Sequence, residues 1–199
     1  MTLTRREFTK STAALAAGAA VSSALELTGC NLETDILNYS KVGKAAFDSV
    51  VAMLEARGVL PAGGNQFTRA VDAAFDAVAA AVAAYQAGNG TGTLAEISAA
   101  LAAVTAAIST FLGELNIPEA SLLSLVLALV QIILETIAGF VSKLPAPPAP
   151  PITQFHTRRG DQLTVEPRVR TVRQFKRDWN AAAAGHAELQ LKLTFWEHL

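Results

Sequence analysis

Residues 93–115 read TLAEISAALAAVTAAISTFLGEL, and their spacing decides the fold. Leu94, Ile97, Leu101, Val104, Ile108, Phe111 and Leu115 recur at intervals of 3, 4, 3, 4, 3 and 4. An α-helix turns about once every 3.6 residues, so this row makes one continuous apolar ridge. Alternating steps of three and four also make the seam along which two helices pack side by side. Thr93 stands where a side chain can cap the first turn, and Glu96 can reach back to it in a capping box. Alanine fills most of the remaining positions, which favours helix and lets neighbouring axes approach.

The same period extends in both directions from this stretch. Phe67, Val71, Phe75, Val78, Val82 and Tyr85 share one face of a predicted helix from Gln66 to Ala87, broken by Gly88-Asn89-Gly90. Before it, Phe47, Val50, Val51 and Leu54 mark a helix over about 38–57, with Gly58 placed to end it. Beyond Leu115, Pro118 suits the first turn of a fourth helix, where its missing N–H costs nothing. The connections are short, so consecutive helices are expected to run antiparallel. The expected class is all-α: an up-down-up-down four-helix bundle over 30–144, a Pro-rich linker at 145–151, and a small helical or α+β basic segment over 152–199.

Within helix four, residues 122–141 read LLSLVLALVQIILETIAGFV, long and apolar enough to cross a bilayer. Ser121, Ser124, Ala128, Gln131, Glu135, Ala138 and Ser142 nevertheless repeat at steps of three and four, drawing a narrow small-or-polar stripe. Three readings follow. A soluble bundle exposes the stripe and buries the rest. A membrane helix turns the stripe inward, with Glu135 protonated or paired. Or the wide apolar arc meets another protein or a second copy of this chain. Ser124, Gln131 and Glu135 are the candidate contact residues in the last two.

Pro145-Ala-Pro-Pro-Ala-Pro-Pro151 cannot continue the helix and favours polyproline II, a spacer of roughly 20 Å. Charge changes sign across it. Residues 30–144 hold five Lys or Arg against ten Asp or Glu; residues 145–199 hold eight against five. The basic side chains concentrate in Arg158, Arg159, Arg168, Arg170, Arg173, Lys176 and Arg177. Such a segment either folds back along the acidic bundle, stays solvated, or meets anionic lipid headgroups. Nucleic acid is not an expected partner, because aromatic interleaving and a binding-fold signature are both missing. Arg159-Gly160-Asp161 reads as a turn. Thr171 to Ala184 reads as a helix, with Val172, Phe175 and Trp179 on one face. Leu189, Leu191, Leu193 and Phe195 alternate as in a strand, while Leu189, Leu193 and Trp196 also suit a helix.

At the other end, Thr4-Arg5-Arg6-Glu7-Phe8-Thr9-Lys10 resembles the twin-arginine export signal of bacteria and archaea, through Arg5, Arg6, Phe8 and Lys10. A soft Ala- and Gly-rich stretch follows from Ser11 to Leu25, too short for a stable span. Leu27-Thr28-Gly29-Cys30 then resembles a lipobox. The resemblance covers residues 1–30 and implies a twin-arginine lipoprotein signal peptide over 1–29, cleavage before Cys30, and a diacylglycerol on its thiol. It implies passage through the twin-arginine translocase and the lipoprotein-processing enzymes. It also implies a membrane-anchored place in the cell envelope, periplasmic or on the outer face. Multiple acyl chains give a lasting anchor, which one does not.

The rest of the chain offers little chemistry. Cys30 stands alone, so no intramolecular disulfide can form. No phosphate loop, zinc spacing or nucleophile elbow appears. Asp72 and Asp76 sit one turn apart near Arg69 and read as a solvated face. His186 and His198 carry no ligand spacing, and the Glu-x-x-His pair of di-iron bundles is missing. No catalytic residue, metal or cofactor is expected beyond acylation of Cys30. The expected function is non-enzymatic, a structural or protein-interaction module of the envelope. The alternatives are a helical carrier of a small molecule and an exported accessory subunit of a cofactor enzyme.

Overall fold

The computed structural model describes residues 32–88, 92–144 and 154–189. The chain divides into two units, Met1–Asp35 and Ile36–Leu199. The protein is mostly helical and bundle-like, with four long helices: α1 (Leu32–Ala56), α2 (Gln66–Gln86), α3 (Leu94–Glu114) and α4 (Ala120–Val141). A two-stranded hairpin, β1 (Gln154–His156) and β2 (Gln162–Thr164), precedes a shorter helix, α5 (Val172–Ala183), and a 3-10 turn at Ala184–Leu189. The export motif, Cys30, the linker at 145–151 and the alternating residues 190–197 lie outside the described residues.

Three of the helices start where a side chain satisfies free N–H groups of the first turn. Asn65 caps α2 by accepting from the N–H of Phe67 and Thr68, while the Thr68 hydroxyl accepts from Asn65 N. At α3 the predicted box is present: Thr93 Oγ1 accepts from Glu96 N at 3.1 Å, and Glu96 Oε2 from Thr93 N at 2.7 Å. Thr171 and Gln174 repeat the device at α5. Such a cap contributes about 1 kcal/mol. Gly58, at φ +70°, turns the chain out of α1 as read from the sequence.

Two boundaries differ from the sequence reading. α1 begins at Leu32 rather than near Asn38, with Glu33 and Asp35 in its first turn, where negative charge meets the positive end of the helix dipole. Pro118 is not in the first turn of α4. It precedes the N-cap residue Glu119, and the helix opens at Ala120. Proline disfavours helical backbone in the residue before it. Here that residue is Ile117, and it and Leu115 sink into the core from non-helical backbone.

The core lies between the long helices. The α3 ridge is buried from Ile97 through Leu112, and its Phe111 meets Phe47 of α1 edge-on at 5.0 Å. Ser40 of α1 donates to the Phe75 carbonyl of α2 at 3.4 Å, and the Tyr39 hydroxyl to the Ile133 carbonyl of α4 at 2.8 Å. α3 and α4 are both long and apolar enough to cross a membrane, with hydropathies of 1.6 and 2.2. The α4 window is 78% buried inside the protein, the condition of a core helix. The hairpin adds a small lid to this core. Phe155 pairs with Leu163 in antiparallel register, both buried, between exposed neighbours. Its turn holds Arg159-Gly160-Asp161, with Gly160 at φ +90° donating to the Thr157 carbonyl, so the tripeptide is a turn as expected.

Candidate functional site

The small-or-polar stripe of α4 has two fates. Ser121, Ser124, Ala128 and Ser142 are exposed, Gln131 is half-buried, and Glu135 and Ala138 are buried. A stripe exposed along its whole length is therefore corrected: it is interrupted at Glu135 and Ala138, where the C-terminal segment meets the helix. Gly139 makes this approach possible. The Arg168–Val169 backbone presses on the helix there, and a Cβ would collide with the Arg168 carbonyl and the Val169 nitrogen. The Arg168 N–H donates to the Glu135 carbonyl at 2.9 Å.

That approach delivers Arg170 to Glu135. Arg170 Nη2 donates to Glu135 Oε2 at 2.7 Å, Nη1 to Thr136 Oγ1 at 3.4 Å, and Nε to Asp178 Oδ2 at 2.8 Å. Gln131 Nε2 donates to the other carboxylate oxygen, Oε1, at 2.8 Å. Arg168 Nε lies 3.8 Å from Oε2. The Arg170 and Glu135 side chains are 7% and 5% exposed. Burial pulls the Arg170 guanidinium down, but hydrogen bonds to Glu135 and Asp178 outweigh it and hold its pKa above the ordinary value. Burial lifts the Tyr39 phenol well above its usual value, offset in part by the Arg170 charge.

Around this polar cluster lies an aromatic one. Tyr39 packs on Phe140 and edge-on to Phe175, each at 5.3 Å, and Phe175 stacks on Trp179 at 5.9 Å. Magnitudes separate the two contributions. Burying a large apolar side chain such as Phe175 or Trp179 contributes on the order of 2 kcal/mol. A buried ion pair roughly breaks even once desolvation is counted. The aromatic residues therefore hold the segment down, and the ion cluster makes any other register costly.

A second titratable cluster joins α1 to α2. Lys44 Nζ pairs with Asp76 Oδ1 at 2.7 Å. One turn along α1, Asp48 faces Asp72. Burial first, then the charge and hydrogen bond of Asp72, push the Asp48 carboxyl up to about 6, with Lys44 opposing and Asp76 adding. Asp72 Oδ1 is buried and has no hydrogen-bond donor. Asp76 is 67% exposed, as the sequence reading expects, whereas Asp72 is partly buried, which corrects that reading for Asp72. Its partner is Asp48, a residue the spacing along α2 does not reveal.

A comparison with known protein families, with curated proteins and with solved structures finds no match to this chain. The assignment of function therefore rests on the residues themselves. The Arg170 cluster ties the C-terminal segment to α4 through guanidinium hydrogen bonds to Glu135 and Thr136, the arrangement of a clamp. Among the described residues, no three His, Cys, Asp or Glu side chains gather as a metal-binding group. Of the candidate residues, the structure brings Gln131 and Glu135 together and leaves Ser124 apart, exposed. Arg170 was not distinguishable by spacing from six other basic residues. The one available signal was an acid inside an apolar helix, which requires a cation from elsewhere.

Proposed function

We propose that this protein is a non-enzymatic lipoprotein of the cell envelope, exported through the twin-arginine route and tethered by acylated Cys30. Its bundle serves as a structural or interaction module. One observation carries the reading. Arg5-Arg6, a soft apolar stretch and Cys30 occur in the order that export and lipidation require, and the second unit begins at Ile36, six residues downstream. In this reading the four long helices alternate in direction, which the short connections support. The Pro-rich linker joins them to the basic segment, and the partner is an envelope protein or a second copy of this chain.

The mass of the N-terminal peptide of the mature protein tests the anchor. A diacylglyceryl-modified Cys30 is expected, and an unmodified one overturns the anchor. Changing Arg5 and Arg6 to Lys should hold the chain in the cytoplasm. A Cys30→Ser chain that stays with the membrane through a high-salt wash would also sink the anchor, because such a wash removes electrostatic binding.

A further inference from the structure

The described part of the C-terminal segment, residues 154–189, holds seven Lys or Arg against four Asp or Glu. Not all of these charges are available. Arg170 is consumed by Glu135 and Asp178, and Lys176 is buried. Arg173 and Arg177 are different. They stand one turn apart on α5, exposed, on the side away from buried Phe175, Trp179 and Ala183. Neither is held in an ion pair among the described residues. Arg168, 58% exposed but shared with Glu135 and Glu166, and Val169, an exposed large hydrophobic residue, immediately precede this face.

We infer that the Arg173–Arg177 face of α5, extended by Arg168 and Val169, is a contact surface for a membrane of anionic phospholipid. Three points argue for a membrane. The apolar side of α5 is already used against Tyr39 and α4, so the helix cannot insert and its free side offers only charge at headgroup level. The bundle, with five basic against ten acidic residues over 30–144, is repelled by the same membrane, so the field turns the basic face toward it. Phe175, between the two arginines, packs on Tyr39, nine residues after Cys30. Nine residues reach about 30 Å at most, so a tether at Cys30 keeps this face within range of the headgroups. Tethering raises the local concentration enough for a weak electrostatic contact to count.

The inference deepens the lipoprotein reading, yet it is testable without the acyl chain. The probe is the full chain carrying Cys30→Ser, mixed with vesicles of phosphatidylcholine alone or of phosphatidylcholine with phosphatidylglycerol. Binding to the anionic vesicles, weakened by salt, is expected. Each basic residue near such a surface contributes about fivefold in affinity, so R173Q/R177Q should bind roughly 25-fold more weakly. R57Q/R69Q, an equal loss of two positive charges at exposed residues outside α5, should leave binding unchanged. Circular dichroism and the urea midpoint confirm that the variants are folded. Equal binding to both vesicle types, no binding to either, or no effect of R173Q/R177Q overturns the proposal. A face that instead takes an acidic envelope protein gives blank vesicle results and overturns it too. Acylation of Cys30 is read separately by mass, so either idea can fail alone.

Discussion

Arg170 Nη2 sits 2.7 Å from Glu135 Oε2, with both side chains almost wholly out of water. Removing one partner strands the other charge, which costs about 3–5 kcal/mol, whereas replacing both by apolar groups can be close to neutral. Arg170→Met should therefore lower the urea midpoint sharply. The double variant R170M/E135L should recover most of the loss. Single and double variants that are equally stable would show that the two buried charges do not depend on each other.

Gly139 makes the opposite demand, for empty space. A methyl group there meets backbone rather than a flexible side-chain tip, so the C-terminal segment must lift. Gly139→Ala should destabilise by about 1–3 kcal/mol, the range for overpacked sites, and should speed proteolysis within 154–183. Gly113 is the internal control. It lies in α3 with nothing within 4 Å of its Cβ direction, so Gly113→Ala should gain up to about 1 kcal/mol from helix propensity. Limited proteolysis and thermal melts of the two variants distinguish a steric effect from a general one.

Features with local causes were legible in the sequence. The ridge from Leu94 to Leu115, the Thr93–Glu96 box, the Gly58 stop, the turn at Gly160 and the helix after Thr171 each depend on residues within one or two turns. What was hidden depends on pairs distant in the chain. Glu135 and Arg170 are 35 positions apart, and nothing in the basic segment marks Arg170 as the buried one. Gly139 reads as another small residue in an apolar run. The hairpin strands are three residues each, too short for their alternation to stand out. Asp48 and Asp72 become neighbours only when α1 lies on α2.

Asp48 gives a pH test with a definite sign. Its folded pKa, about 6, lies above the ordinary value of roughly 3.9. The folded state thus holds this proton more tightly than the unfolded one. Stability from this group falls as pH rises from about 4 to 6, and the cost is complete above that. The groups facing Asp48 are Lys44 on its own helix and Asp72 and Asp76 on α2. Discounted for the exposure of Asp48, the cost at neutral pH is about 1 kcal/mol. Asp48→Asn should raise the melting temperature at pH 7 and change it little at pH 4. Parallel melting curves across that interval would show that Asp48 does not carry the proton.

Deleting residues 145–199 would not yield a bundle without its tail. Phe175, backed by Trp179, packs on Tyr39, and Arg170 pairs with Glu135, so removal bares an aromatic face beside an unpaired Glu135. Large exposed patches of this kind drive association. The truncated chain should bind a hydrophobic dye and self-associate in sedimentation. R173Q/R177Q, which changes only the outer side of α5, should do neither. Partner capture that appears only after truncation therefore reports the uncovered core face of α4. Capture lost in R173Q/R177Q with the segment still docked reports a surface of the native protein. A truncated chain that stays monomeric and dye-free would mean that α4 closes its core without the segment, contrary to the pairing of buried Glu135 with Arg170.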